Sequence, residues 1–299
     1  MNILIVGATG YIGSFLLSFL CESHVVYATV RSLENITQDP QIHYCEVDLT
    51  TPHFELALPK EVDVIIYLAQ SRYHRIFPEK AEDMYAINVN ALFRILEWAR
   101  KKTKVQQFIY SSTANVYEQT IEPLHEESKI GPSSFYGTTK MMGEMLLQSY
   151  ASYFPCTILR LFTVYGPGQM NTLIPILFQK VLKEETVQIY GDEGITLTPI
   201  FIKDLCKMIS RVIHVKPGKN YRVFNIAGNE FFSIFEITKH LSTLLCKEMK
   251  VEYLRHDGNL GWTANNKKFI HYFQYDGFTS FYEGLKKTVQ AYFDHRDFA

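Results

Sequence analysis

Cysteine is scarce in this chain of 299 residues: there are five, at Cys21, Cys45, Cys156, Cys206 and Cys246. Their number is odd, they lie far apart, and no two form a C-x-x-C pair, which excludes a disulfide framework and a zinc site. The ten histidines form no paired-ligand spacing, and no metal is expected. No stretch reaches the roughly 18 uninterrupted apolar residues of a membrane span. A basic leader is missing before the first apolar run, and Gly7 cuts that run too early for a secretory signal. Neither sign of charge is in excess, with 30 Lys and Arg against 31 Asp and Glu. A net charge of −1 gives no electrostatic ground for binding nucleic acid or an anionic membrane. These absences leave the expectation of a cytoplasmic protein working on a small molecule.

What is present is an ordinary globular composition, 47% hydrophobic and 20% charged, in a length that suits one large α/β domain or one with a smaller lobe. Short apolar runs at 3–6, 25–30, 42–47, 62–68, 108–111 and 156–161 alternate with amphipathic segments at 11–21, 81–101 and 136–153. Such alternation predicts a doubly wound parallel sheet with helices on both faces. Pro155 ends the last of those helices. After about residue 165 the rhythm fades at Gly166-Pro167-Gly168. Residues 1–165 are therefore expected to form a dinucleotide-binding domain, with returns near 199–228, and 166–299 mainly a substrate-binding lobe. Helices are expected at 173–183, 234–245 and 281–292, and a strand at 223–226.

The first thirteen residues, MNILIVGATGYIG, set a buried strand, a turn with Gly7, Gly10 and Gly13, and a helical pattern in immediate succession. That order is what a pyrophosphate needs, because glycines let backbone amides approach the anion and the helix start supplies donors. A tight strand-to-helix turn without ligand has the same letters; what favours the dinucleotide is the position of the turn in the alternating pattern. Further along, Tyr136 and Lys140 stand at i and i+4, on one helical face one turn apart. A cation there favours a phenolate and would lower the tyrosine pKa toward neutrality. An exposed lysine beside an ordinary tyrosine has the same spacing. Upstream, Phe108-Ile109-Tyr110 runs into Ser111-Ser112-Thr113, setting hydroxyls at the carboxyl end of a strand, where open α/β sheets bind ligands.

Taken together these motifs resemble the extended short-chain dehydrogenase/reductase superfamily, and within it the NAD-dependent epimerase/dehydratase family that acts largely on nucleotide sugars. The similarity runs in order through GATGYIG, Asp48-Leu49, Tyr67-Leu68-Ala69, Asn88-Val89-Asn90, SSTANVY from Ser111, YGTTK from Tyr136, LRLFTVYGPGQ from Leu159 and FNIAG from Phe224. The resemblance implies a Rossmann-type sheet with an interleaved substrate lobe. It implies that Gly7, Gly10, Tyr11, Ile12 and Gly13 cradle the cofactor pyrophosphate, that Asp48 and Leu49 face the adenine, and that Ala69 lines the cofactor beyond. Tyr136 would be the acid or base, Lys140 would bind the nicotinamide ribose, and Thr113 would hold the reacting oxygen. A homodimer through helices 81–101 and 136–153 is expected by resemblance only.

Departures from the family pattern sharpen the reading. Relatives that prefer NAD carry an acidic residue at the end of the second strand, whereas this chain has Arg31, whose fork of donors suits a 2′-phosphate. NADP(H) is therefore favoured, with NAD(H) the alternative. The Asp-Glu pair of the 4,6-dehydratases is replaced by Ala114-Asn115, which leaves hydride transfer at one carbinol or keto carbon. A ketosugar reductase is slightly favoured, because reduced NADP is a consumed substrate; a nucleotide-sugar 4-epimerase and a reductase of a non-nucleotide ketone are the alternatives. Thr163 stands where relatives have an Asn for the substrate diphosphate, and Leu197 where they have an Arg. Thr172 and Leu173 match positions that hold the nucleotide base, although a helix start explains them equally well.

Overall fold

The computed structural model describes residues 1–34, 36–215, 218–255 and 261–294. The chain divides into two compact units, each built from three separate stretches. The first comprises Met1–Glu118, Lys129–Arg160 and Ile209–Phe224; the second Gln119–Ser128, Leu161–Met208 and Asn225–Ala299.

The first unit contains the strands β1 (Asn2–Val6), β2 (Val25–Val30), β3 (Ile42–Glu46), β4 (Val64–Tyr67), β5 (Gln107–Thr113) and β6 (Cys156–Leu161). With the strand Tyr221–Ile226 they form a seven-stranded parallel sheet in the order Tyr221–Ile226, β6, β5, β4, β1, β2, β3. The order reverses where β1 lies beside β4, in a register that sets Val6 level with Tyr67. Connections leave these two strands in opposite directions, so a crevice opens outside their carboxyl ends. Every residue of β4 and β5 is buried, as expected of strands covered on both faces. Their core partners include Leu4, Leu92, Ile95, Leu96, Leu147 and Ile158. Each such aliphatic side chain contributes roughly 1.5 to 3 kcal/mol on burial.

Helix α1 (Tyr11–Leu20) follows the glycine turn and buries Gly13, Leu16, Leu17 and Leu20, one stripe at helical spacing. The segment expected as one helix over 81–101 is continuous but not uniform: α2 (Ala81–Tyr85), a π-helical turn over Ala86–Ala91, then α3 (Leu92–Lys102). Helix α4 (Phe135–Tyr150) starts at Ser134, whose hydroxyl accepts from the Gly137 amide at 3.1 Å. It stops short of residue 153 because the chain tightens there, the Tyr153 amide bonding the Tyr150 carbonyl at 2.9 Å. Strand β5 extends two residues beyond the expected 108–111 and so carries Ser112 and Thr113.

The second unit holds the helices Leu173–Leu182, Ile234–Leu245, Lys267–Phe273 and Phe281–Asp294. Ser233 and Glu236 form a reciprocal capping box at the start of the second of these. Short strand pairs complete it, including Val187–Tyr190 parallel to Val251–Leu254 and Thr196–Leu197 antiparallel to Phe232–Ser233. The helix Ile202–His214, which sequence reading did not anticipate, passes from the second unit into the first. Among the described residues no helix is long and apolar enough to cross a membrane, and no group of His, Cys, Asp and Glu could hold a metal ion.

Candidate active site

At the end of β1 the backbone of Gly7 takes φ +90°, a conformation that side chains resist. A Cβ there would lie 2.7 Å from the Ala69 amide nitrogen, and one on Gly13 would lie 2.5 Å from the Gly7 carbonyl oxygen. Both clashes are with backbone, so the turn is built for glycine. The Gly7 amide donates to the Thr29 hydroxyl at 3.1 Å, and Gly10 donates back to the Gly7 carbonyl at 3.1 Å. Gly10 starts α1 with no side-chain cap and no acidic residue in the first turn, so neither a capping side chain nor a local carboxylate competes with an anion at this helix start. Ala69 is buried beneath the turn. Asp48 is exposed and accepts from the Thr50 amide at 2.9 Å and hydroxyl at 2.7 Å, which lowers its pKa; the charge of Arg31 acts in the same direction. Leu49 beside it is half-buried.

Thr113, Tyr136 and Lys140 come together in the first unit. Strand β5 delivers Thr113 and the first turns of α4 deliver the other two. Burial pushes the Tyr136 phenol up to about 12, and a hydrogen bond with the Thr113 side chain pulls it the other way. The expected lowering by Lys140 is not found. Burial draws the Lys140 ammonium down to about 7 instead, with Glu144 opposing. Lys140 Nζ is buried without a hydrogen-bond partner and lies 4.5 Å from the centroid of the Tyr110 ring. A positive charge over that ring face is partly compensated by the ring quadrupole.

Several neighbours escaped sequence reading. Tyr136 Oη donates to Gln70 Oε1 at 3.0 Å, and the His74 ring lies 5.4 Å from the Tyr136 ring. Both come from the loop that follows β4, whose only sequence signal is its place after Tyr67-Leu68-Ala69. Asn88, in the π-helical turn, accepts from the Ser71 amide at 3.0 Å and donates to the Thr139 hydroxyl at 2.9 Å. Thr139 in turn donates to the Tyr136 carbonyl at 2.8 Å. The motif Asn88-Val89-Asn90 flagged the position without giving it a task. Asn115 donates to Thr113 Oγ1 from its amide, at 3.3 Å, and from its Nδ2, at 3.1 Å.

The remaining candidates belong to the second unit. Thr163 is half-buried and its carbonyl accepts from the Ile200 amide at 2.8 Å. Thr172 stands immediately before the helix that Leu173 begins, and its hydroxyl is buried without a hydrogen-bond partner. Leu197 is a core residue, paired with Phe232 and bridged to Trp262.

These features define an α/β fold with a glycine-reserved turn at the reversal of its sheet. The fit to a dinucleotide rests on the chain itself: a turn that backbone clashes reserve for glycine, uncapped amides at the start of α1, and a buried, unpartnered ammonium on α4. The profile of the NAD dependent epimerase/dehydratase family matches residues 3–227, and the chain belongs to that family. It is 29% identical over 316 residues to the Uncharacterized UDP-glucose epimerase YtcB of Bacillus subtilis (strain 168), covering 97% of each chain. It is 25% identical over 317 residues to the dTDP-D-glucose 4,6-dehydratase of Homo sapiens, covering 97% of this chain and 89% of that one. Among solved structures, UDP-glucuronic acid 4-epimerase from Bacillus cereus in complex with UDP-glucuronic acid and NAD superposes with a TM-score of 0.87. That comparison has 25% identity and covers 99% of this chain and 100% of the other.

Proposed function

We propose that this chain is an NAD-dependent 4-epimerase of UDP-hexoses. One arrangement carries the reading: Thr113 at the end of β5, Tyr136 and Lys140 one turn apart on α4, and Ala114-Asn115 rather than an acidic pair directly after Thr113. Asn115, where a dehydratase would hold a base, donates to the Thr113 hydroxyl instead. The names of the Bacillus subtilis and Bacillus cereus relatives, both epimerases of UDP-sugars, support this reading over the ketosugar reductase that the sequence placed first. The cofactor is revised in the same way. The Bacillus cereus enzyme holds NAD, and the charge of Arg31 already acts on the Asp48 carboxylate within this chain. NADP(H) preference is therefore set aside in favour of NAD.

The cofactor's contribution is reversible hydride uptake at its nicotinamide ring. Gly7, Gly10, Gly13 and the amides of Tyr11 and Ile12 hold its pyrophosphate, while Asp48, Leu49 and Ala69 line the adenine side. Tyr136 Oη removes the proton of the C4 hydroxyl as that carbon becomes a ketone, and returns it when the ketone is reduced on its opposite face. The Thr113 hydroxyl donates to the same oxygen. Lys140, in its ammonium form, binds the ribose hydroxyls. Gln70 holds the phenol as a donor until the substrate hydroxyl takes its place. On the substrate side Thr163, Thr172 and Leu173 are proposed to line the nucleotide diphosphate, Thr172 with an unspent hydroxyl.

A homodimer is proposed through α2, α3 and α4, which leave Tyr85, Phe93 and Met145 exposed. A monomer in sedimentation equilibrium at micromolar concentration would overturn that part. The function itself is tested by incubating the purified protein with UDP-glucose or UDP-glucuronic acid and resolving the C4 epimers. The expected result is interconversion without net change in cofactor, and NAD released on denaturation. Net consumption of NADPH by a 4-keto sugar, with no epimer formed, would overturn it.

A further inference from the structure

Behind the proposed reaction centre the first unit buries three cations, Lys140, Arg160 and Arg222, against a single buried carboxylate among its described residues, Glu144. Glu144 lies one helical turn beyond Lys140 on α4, so the two side chains leave the same face. Arg160, from β6, grips it with Nε at 3.0 Å and a terminal nitrogen at 2.7 Å. Ser112, next to Thr113 on β5, donates to it at 2.5 Å. The carboxylate is thus fixed by two strands and a helix. No salt bridge within 4.0 Å links it to Lys140, whose Nζ has no hydrogen-bond partner.

We propose that Glu144, pinned by Arg160 and Ser112, is a positioning residue that serves as the buried counter-charge of Lys140. The proposal deepens the epimerase reading, since it concerns how Lys140 is kept charged for its partner Tyr136. Its physical basis is a shortage of anions. The Arg160 guanidinium is charged at every accessible pH, so it claims the carboxylate first. Lys140 senses Glu144 only through space, and its ammonium sits near about 7, where a small change in local charge switches it. Phenols also lie close by. Tyr110 lies beneath its Nζ and Tyr136 one turn before it, while Tyr221 donates to the Glu144 carbonyl at 3.5 Å. Burial pushes the phenols of Tyr110 and Tyr136 up, so neither supplies an anion. Glu144 is the group that offsets the desolvation of Lys140.

The test is the titration of Lys140 itself, followed by the 13Cε chemical shift of labelled lysine in the protein without added cofactor and assigned with Lys140→Met. Glu144→Gln is expected to move the Lys140 midpoint down by about one pH unit or more. Glu144→Asp is expected to restore most of the shift. Because breaking a buried ion pair by one partner is destabilising, Glu144→Gln with Arg160→Met removes both charges together and keeps the test available in a folded protein. Its midpoint is also expected below the wild-type value. The basic limb of the pH–kcat profile should move with the midpoint. An unchanged Lys140 midpoint in either folded variant would overturn the proposal, since a merely structural ion pair would leave it in place. If Lys140 shifts as expected but no UDP-sugar is epimerised, the functional reading fails and this inference stands.

Discussion

Asn88 Nδ2 donates to Thr139 Oγ1 at 2.9 Å, while its Oδ1 accepts from the Ser71 amide at 3.0 Å. One amide thus ties the loop after β4, which supplies Gln70 and His74, to the helix that supplies Tyr136. The π-helical turn sets Asn88 at this junction, a placement such turns often serve at functional sites. Replacing Asn88 by Ala strands the buried Ser71 amide and removes the donor to the Thr139 hydroxyl, which keeps its own bond to the Tyr136 carbonyl. A loss of about 2 to 3 kcal/mol in urea unfolding is expected. A roughly tenfold fall in kcat at little change in KM should accompany it, as Tyr136 loses its alignment.

Gly7→Ala forces a methyl into the Ala69 backbone at a positive φ. Two penalties combine, and a loss of about 2 to 4 kcal/mol is expected together with loss of cofactor binding. Thr29→Val is the finer probe, because it keeps the shape and removes the acceptor of the Gly7 amide together with a long, 3.5 Å bond that the same hydroxyl donates to the Ile5 carbonyl. Here cofactor affinity, measured by calorimetry, should weaken while the melting temperature falls by only a few degrees. Equal losses of both in the two variants would show that the turn serves the fold alone.

Burying Lys140 costs stability. Its ammonium is drawn down from 10.5 to about 7 in the folded chain. Between those values the unfolded chain binds the extra proton, so stability rises with pH across that window, and the full cost is felt below pH 7. Lys140→Met should therefore stabilise the protein without added cofactor at pH 6, on the order of 3 kcal/mol. The gain should shrink toward zero near pH 10, and turnover should be lost throughout. A variant less stable than wild type at pH 6 would contradict the burial argument.

Cofactor choice is read from Arg31 and Asp48. Wild type is expected to bind NAD more tightly than NADP, by about tenfold. In Arg31→Ala that ratio should change by less than about threefold. Tighter binding of NADP, lost on replacing Arg31, would reverse the assignment.

Much of the sheet was legible because its cause is local. Strands β1, β4 and β5 are short apolar runs, and the glycine turn follows from backbone approach that only glycine permits. The candidate trio was legible through helical spacing and strand ends. What escaped notice depends on tertiary burial. Nothing near Tyr136 in the sequence announces that its phenol would be pushed up or that Lys140, not Tyr136, would be the strongly lowered group. Glu144 reads as an ordinary surface acid on a helix until Arg160, sixteen residues on, arrives from a strand beside it. Arg31 is ambiguous in the sequence: it stands where a 2′-phosphate reader would, but an end-of-strand cation whose charge acts on Asp48 has the same letters. The helix Ile202–His214 was missed because the regular strand-helix rhythm had already broken.

The interleaving of the two units limits how this enzyme can be cut. Strand Tyr221–Ile226 covers the flank of β6 after the chain has spent more than fifty residues elsewhere. A fragment ending near residue 165 would leave β6 as an open, apolar border with unpaired amides, an invitation to aggregate. Any split version, reporter insertion or permuted form should keep that closing strand with the sheet it seals.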